Sequence, residues 1–117
     1  MNPQPGLFLS RACMAACLII QHSPLPVQER YFPVIEEATK QGDNESSAFA
    51  LLVDRIRMRK DEKQLYGSQI VQNGKGEYEI YPIDDEINVD VRRCNMGLGP
   101  LEEYVKQWNI KYVPKKP

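Results

Sequence analysis

The chain contains a single histidine, His22, and histidine is the side chain best suited to proton transfer near neutral pH. A histidine general base or an imidazole metal ligand would therefore have to be His22. Because Pro24 and Pro26 follow it closely, we expect His22 to lie at the C-terminal end of a helix. Two interpretations follow: His22 is the acid or base of a site, or it caps the last carbonyls of that helix.

An acidic and a basic residue, Asp54 and Arg55, are adjacent in the chain. On a helix their side chains point about 100° apart, so they meet different surroundings. We predict that Asp54 orients His22 and belongs to the catalytic group, and that Arg55 binds an anionic group of a ligand. The alternative is that each residue forms an ordinary salt bridge.

Polar side chains surround Gly67 on both sides. Gln64, Tyr66 and Gln69 are predicted to bind a ligand, because amides and a phenol recognise neutral polar groups by hydrogen bonds. Gly67 indicates either a positive φ angle or the close approach of another segment. The alternative is that these residues form a hydrogen-bonded seam that holds a hairpin to the helices.

Two consecutive arginines, Arg92 and Arg93, precede a glycine-rich turn at residues 97–99. Their guanidinium groups could clamp a carboxylate or a phosphate, and we predict that both bind the ligand. The alternative is pairing with residues 77–90, which contain six acidic residues and no basic one. The basic residues of the third predicted helix are further partners for these acids.

Motifs for metals and cofactors are weak or absent. Cys13 and Cys17 are four residues apart and could share a helix face, but no further ligands follow at a zinc-site spacing. The acidic residues 84–86 lack the alternation and the glycine of a calcium loop. No glycine-rich phosphate loop and no nucleophile elbow is found. We therefore expect neither a metal nor a cofactor.

The predicted elements that position these residues begin with three helices. The first spans residues 10–22, the second begins at residues 25–27 and ends near Gly42, and the third begins at Asn44 or Ser46 and fades by Lys63. Pro33 lies inside the second helix and is expected to kink it. Ala48, Leu51, Leu52 and Ile56 are the expected inward residues of the third helix.

The period of the pattern then changes. Residues 66–72 and 77–81 read as two short strands, joined by the turn sequence Asn-Gly-Lys-Gly at residues 73–76. A short helix over residues 89–96 is followed by a last helix from Pro100 through Trp108. The pattern therefore predicts a small, mostly helical α+β domain with four to five helices and a β-hairpin.

Length and composition fit one ordinary globular domain over residues 1–117, with a core at about residues 8–110 and a flexible tail at residues 111–117. The 15 basic and 16 acidic residues nearly cancel, which argues against a dedicated nucleic-acid binder. Three cysteines, an odd number, favour reduced thiols in the cytoplasm. The apolar run at residues 7–20 is interrupted by Arg11 and is too short to cross a bilayer, so we expect a buried helix there.

Five motifs occur in a fixed order: Ile-Ile-Gln-His at 19–22, Asp-Arg at 54–55, Gln-Leu-Tyr-Gly-Ser-Gln at 64–69, Asp-Val-Arg-Arg at 90–93 and Gly-Leu-Gly-Pro-Leu-Glu-Glu-Tyr at 97–104. Together they resemble the bacterial family catalogued as domain of unknown function 6624. The resemblance covers about residues 10–105 and is most specific over residues 50–69. It implies a mostly helical fold with a small β element, and it implies no activity.

These observations predict a domain that binds a small polar or anionic ligand and could be an enzyme. The site would lie at the junction of the end of the first helix, the third helix and the hairpin. The alternative is a protein-interaction or immunity-type accessory module in which the polar motifs support the fold. A homodimer is an open option because homodimers are common. We expect no nucleic-acid and no membrane partner.

Overall fold

The computed structural model describes residues 17, 19–42 and 45–117. The chain forms two compact units, Met1–Leu52 and Val53–Pro117, which are described separately here. The fold class predicted from the sequence is confirmed, since the described residues form helices and one two-stranded antiparallel hairpin. The assignment of residues 1–117 to a single domain stays a prediction.

The first unit contains a helix, α1, to which the described residues 17 and 19–21 belong, and a second helix, α2, at Leu25–Lys40. Pro24 stands at the N-cap of α2, where its missing N–H group is not needed. Pro33 lies within α2 and does not end it. The predicted N-terminal part of α1 lies outside the described residues.

Packing in the first unit joins these helices to the start of α3, the helix at Ser46–Arg59. The rings of Phe32 and Phe49 lie 5.4 Å apart between their centroids. The Cys17 thiol contacts the Ala48 carbonyl at 3.7 Å. The described core of this unit consists of Cys17, Ile20, Ile35, Ala50 and Leu52. Of the residues expected to face inward from α3, Leu52 is fully buried, whereas Ala48 and Leu51 are half-buried.

The hairpin of the second unit pairs β1, Ile70–Gln72, with β2, Tyr78–Ile80. The register pairs Ile70 with Ile80 and Gln72 with Tyr78, and the turn between the strands lies where the sequence predicts it. The prediction that the first strand begins at residue 66 is wrong, because residues 66–69 form a loop. The alternation of faces expected for a strand over these residues does not apply.

Four short helical segments follow the hairpin. They are a 3-10 turn at Glu86–Asn88, α4 at Val89–Asn95, α5 at Leu101–Tyr104 and a second 3-10 turn at Val105–Trp108. The predicted last helix is therefore half α-helix and half 3-10, with Pro100 at its N-cap. The core of this unit is Ile83, Val89, Leu101 and Val105, against which Ile70, Ile80, Tyr104, Ile110 and Tyr112 pack.

In the part of the chain that the structure describes, no helix combines the length and the apolar character that crossing a bilayer requires. Of the cysteines that the structure describes, Cys17 is buried and Cys94 is exposed.

The C-terminal segment is attached to the second unit through Tyr112. Its hydroxyl donates a hydrogen bond of 2.9 Å to Oε2 of Glu86, and its ring packs on the core. Lys115 lies 4.0 Å from the same carboxylate. Tyr112 therefore anchors a segment for which the sequence alone predicts flexibility.

We expect replacement of Gly67 by alanine to cost more stability than replacement of Gly97. Both residues have a positive φ angle, +70° and +74°, which costs an L-residue about 1–2 kcal/mol. A Cβ atom at residue 67 would also lie 2.9 Å from Cδ1 of the buried Leu101, whereas at residue 97 it would meet no atom within 4 Å. Crowding should add about 1–3 kcal/mol to the Gly67→Ala loss. Urea unfolding of both variants measures this difference, and equal losses would contradict the close approach.

The Tyr112 hydroxyl should make stability depend on pH at alkaline values. Burial, and then its hydrogen bond to Glu86, raise the pKa of Tyr112 from 10.0 to about 12. Because folding raises this pKa, the stabilisation is complete below about pH 10 and is lost as the pH rises towards 12. The free energy of unfolding should therefore fall more steeply over this range in the wild type than in Tyr112→Phe. Tyr31→Phe, a change in the first unit, is the control and should keep the wild-type slope.

Candidate functional site

The side chain of Asp54, on the C-terminal half of α3, is fully buried in the second unit. Its Oδ1 atom accepts hydrogen bonds from the backbone N–H groups of Leu65, at 2.8 Å, and Tyr66, at 3.0 Å. Its Oδ2 atom accepts one from the backbone N–H of Ser68, at 3.0 Å, and one from the Ser68 hydroxyl, at 2.7 Å. Four donors therefore replace the water that a buried carboxylate loses, and the carboxylate fixes the loop at residues 65–68.

Gln64, also fully buried, attaches the same loop to the hairpin. Its Nε2 atom donates to the carbonyls of Gln69, at 3.0 Å, and Tyr81, at 2.7 Å. Its Oε1 atom accepts a hydrogen bond of 2.8 Å from the Gln69 backbone N–H. The Gln69 side chain donates in turn to the Ser68 hydroxyl at 3.1 Å. The side-chain amide of Gln64 thus forms the kind of hydrogen bonds with the backbone that a neighbouring strand would form, although Gln64 is not part of a strand of the hairpin.

Arg93 is 2% exposed and binds the carbonyl side of the loop. Its Nε atom donates to the Gly99 carbonyl at 2.6 Å and its Nη1 atom to the Tyr66 carbonyl at 2.7 Å. The guanidinium carbon lies 4.8 Å from the centroid of the Tyr104 ring, a cation–π distance. Burial lowers the pKa of Arg93, and the nearby Tyr104 and acidic residues oppose that shift.

The guanidinium group of the adjacent Arg92 donates hydrogen bonds to other backbone carbonyls. Its Nε atom donates to the Leu65 carbonyl at 2.7 Å, and its Nη1 and Nη2 atoms donate to the carbonyls of Asp85 and Asp84. The Asp85 carboxylate lies 3.5 Å from Nη1. This is the pairing with the acidic stretch that the sequence left open, and Arg57 of α3 adds a second contact with that stretch at 4.0 Å from Asp84.

Six of the predicted site residues thus meet around one loop, residues 64–69, which we call the Gly67 loop. They are Asp54, Gln64, Tyr66, Gln69, Arg92 and Arg93. Ser68 and Tyr104 also belong to this network, although neither is among the predicted site residues. The Tyr104 hydroxyl donates to the Ser68 carbonyl at 2.8 Å. Ser68 lies in the motif at 64–69 and Tyr104 in the motif at 97–104, so membership of these motifs is the sequence feature that could have identified them.

Some polar groups of the predicted set are not used by the loop. The Tyr66 hydroxyl has no hydrogen-bond partner within the described residues, and burial followed by the Asp54 charge raises the pKa of Tyr66 while Arg92 lowers it. Arg55 is half-buried on α3, and its Nε atom is buried with no hydrogen-bond partner in the described ranges. Burial, and then the charge of Arg59, lower the pKa of Arg55.

His22 belongs to the first unit and is exposed in the turn after α1. Its backbone N–H donates to the Ile19 carbonyl at 3.2 Å, and the Ser23 hydroxyl donates to the same carbonyl at 2.8 Å. The end of α1 is therefore capped by the backbone and by Ser23. The acid or base role of His22, and its orientation by Asp54, stay predictions. Across residues 17, 19–42 and 45–117, no group of three or more potential ligands of the His, Cys, Asp and Glu types could hold a metal ion.

Removal of the Asp54 carboxylate should be among the most destabilising changes in the second unit. Asp54→Ala leaves three backbone N–H groups and a hydroxyl without their acceptor, and we expect a loss of at least about 3 kcal/mol in the free energy of unfolding. Ser68→Ala removes one of the four donors and should cost about 1 kcal/mol. Urea unfolding followed by circular dichroism checks both values. Glu102→Ala, which removes an exposed carboxylate, is the control, and a loss no larger for Asp54→Ala would contradict its role.

Comparisons with known proteins add one finding to this geometry. No curated protein and no solved structure matches the chain. The profile of a family of unknown function, DUF6624, matches residues 3–115 and so includes every motif residue of the Gly67 loop network. Because the match extends over nearly the whole chain, the protein belongs to the family of unknown function DUF6624.

Proposed function

We propose that the protein binds a small anion, of the carboxylate or phosphate class, through the guanidinium group of Arg55. The observation that carries the proposal is which hydrogen-bond acceptors the three arginines of the motifs have. Arg92 and Arg93 donate to backbone carbonyls of the fold, whereas the buried Nε atom of Arg55 has no acceptor among the described residues. A buried donor without an acceptor costs stability unless a ligand supplies one.

The charge around Arg55 supports an anion as that ligand. Arg59 lies one helical turn further along α3, and its positive charge adds to the burial that lowers the pKa of Arg55. Two neighbouring cations on one helix repel each other, and an anion bound between or beside them reduces the repulsion. The planar guanidinium fork fits a carboxylate or a phosphate in a two-point contact, which a lysine could not make.

In this proposal the Gly67 loop network positions α3 and does not contact the ligand. Each oxygen of Asp54 already accepts two hydrogen bonds from the Gly67 loop, so the carboxylate serves the fold and not a ligand. Asp54 is therefore a positioning residue here, and the proposal is one of binding without a chemical step. The predicted catalysis by His22 and Asp54 is no part of it.

A second candidate is an interaction module in which the polar motifs only support the fold. The observation in its favour is that Asp54, Gln64, Arg92 and Arg93 all use their polar atoms on the backbone of the second unit. The two candidates differ at Arg55. Under the second candidate its guanidinium has no ligand, and replacing it changes nothing except the stability of the fold.

The test is a thermal-shift titration of the wild type and Arg55→Gln with phosphate, sulfate, small carboxylates and nucleotides at constant ionic strength. At a ligand concentration of about 100 times Kd, the wild type should gain about 2.7 kcal/mol, which is several degrees in Tm for a domain of this size. Arg55→Gln should lose this gain. Without ligand the variant should be as stable as the wild type or more so, because a cation without an acceptor has been removed beside Arg59.

Lys60→Gln is the matched control, because it removes an exposed positive charge one residue beyond α3. It should keep the full shift. Phosphate and sulfate also stabilise proteins by exclusion from the surface, but that effect is equal in all three proteins. An equal shift in the wild type and Arg55→Gln with every anion would contradict the proposal and favour the interaction module.

A further inference from the structure

A groove of about 540 Å³ lies between strand β2 and the second 3-10 turn, well away in sequence from Arg55. Its lining residues are Glu77, Tyr78, Gln107, Trp108, Asn109 and Ile110. We propose that this groove, the β2 groove, binds an extended peptide segment that carries arginine or lysine side chains. The inference stands on the contacts of the hairpin and does not depend on the anion proposal.

The edge of β2 that faces away from β1 is open. Asn73 N–H donates to the Glu77 carbonyl and Tyr81 N–H to the Gln69 carbonyl, so the backbone groups of residues 77, 79 and 81 face β1. By the alternation of an antiparallel pair, the N–H and C=O groups of Tyr78 and Ile80 face the opposite side. Among the described residues, none forms a hydrogen bond with these groups. A peptide in extended conformation can satisfy them by adding a strand.

Two aromatic rings, those of Tyr78 and Trp108, line the groove. Tyr78 is 49% exposed, and Trp108 is half-buried with its ring 5.1 Å from that of Tyr104. The contact with Tyr104 holds the indole against the core while part of it stays accessible. Indole and phenol faces attract guanidinium and ammonium groups, so the groove has the ring surfaces that a cationic side chain prefers.

Acidic side chains that have no basic partner in the part of the chain described lie beside the groove. Later in the acidic stretch, Asp84, Asp85 and Glu86 each lie within 4.0 Å of a basic side chain. Glu77 has no ion-pair partner within the described residues, and the Glu79 carboxylate contacts only the amide of Asn73, at 2.9 Å. Glu77, directly before β2, and Glu79, on β2, therefore place negative charge without an ion-pair partner among the described residues beside the open edge, where a basic peptide would neutralise it.

The same charges argue against a second copy of the chain as the occupant. Two β2 edges that paired through both Tyr78 and Ile80 would place Glu79 directly opposite Glu79 of the other copy. Like charges in directly opposed positions destabilise a strand pair, and charged edges are a known means of preventing such pairing. A peptide with arginine at alternate positions would instead place a positive charge near Glu79, so that repulsion becomes attraction.

The experiment uses Trp108, which is the only tryptophan of the chain, so its fluorescence reports on the groove directly. The probe is a blocked heptapeptide of alternating threonine and arginine, and the control peptide has glutamine in place of each arginine. We expect a saturable change in emission with the arginine peptide and a much weaker one with the glutamine peptide. N-methylation of the central peptide residues, which removes donors for the strand edge, should weaken binding about tenfold.

On the protein side, Glu77→Gln should weaken the arginine peptide about two- to fivefold at low salt, as expected for an accessible charge pair. Glu102→Gln, an exposed carboxylate on α5 that does not line the groove, should bind like the wild type. The proposal is overturned if the arginine peptide gives no saturable change at millimolar concentration, if N-methylation has no effect, or if both variants weaken binding equally. Dimerisation in sedimentation experiments that the peptide does not reverse would assign the edge to a second copy and overturn it as well.

Discussion

Asp54 places a carboxylate inside the second unit, where water cannot stabilise its charge, and the chain must supply donors in place of water. The loop at residues 65–68 does so by turning three N–H groups towards the carboxylate. That turn directs the loop carbonyls away from Asp54, and they need donors of their own. Arg92, Arg93 and Tyr104 provide these donors from α4 and α5. One buried charge thus ties the end of α3 to the two helices that follow the hairpin.

The sequence predicts the residue types of this network but not its purpose. An arginine that clamps a ligand carboxylate and one that binds a backbone carbonyl have the same side chain, and every chain contains carbonyls that a sequence pattern cannot place. The same limit explains the wrong start of the first strand. Residues 66–69 were predicted to begin a strand, but the N–H group of Tyr66 donates to Asp54, twelve residues away, instead of to a neighbouring strand. The turn at residues 73–76 was predictable because its glycines and Asn73 act locally.

Gly67 shows how the network and the apolar core share one constraint. Its positive φ angle allows the loop to reverse around Asp54, and the absence of a Cβ atom allows Leu101 and Ile83 to approach from the core. Leu101 is itself positioned by Asp90, whose Oδ1 atom accepts the Leu101 N–H at 2.9 Å. The polar contacts therefore set the position of the core residues, and the core in turn keeps the loop in a conformation that other residues would resist.

The numbers of acidic and basic residues nearly balance, but the folded chain does not give every charged side chain an ion-pair partner within the described residues. With 15 basic and 16 acidic residues, the chain has partners available for almost every charge. The acids at residues 84–86 lie within ion-pair distance of Arg57, Arg92 and Lys115, whereas Arg55 and Glu77 show no ion pair within the described residues. We propose that partners from outside the chain meet these two charges, an anion at Arg55 and a basic peptide beside Glu77.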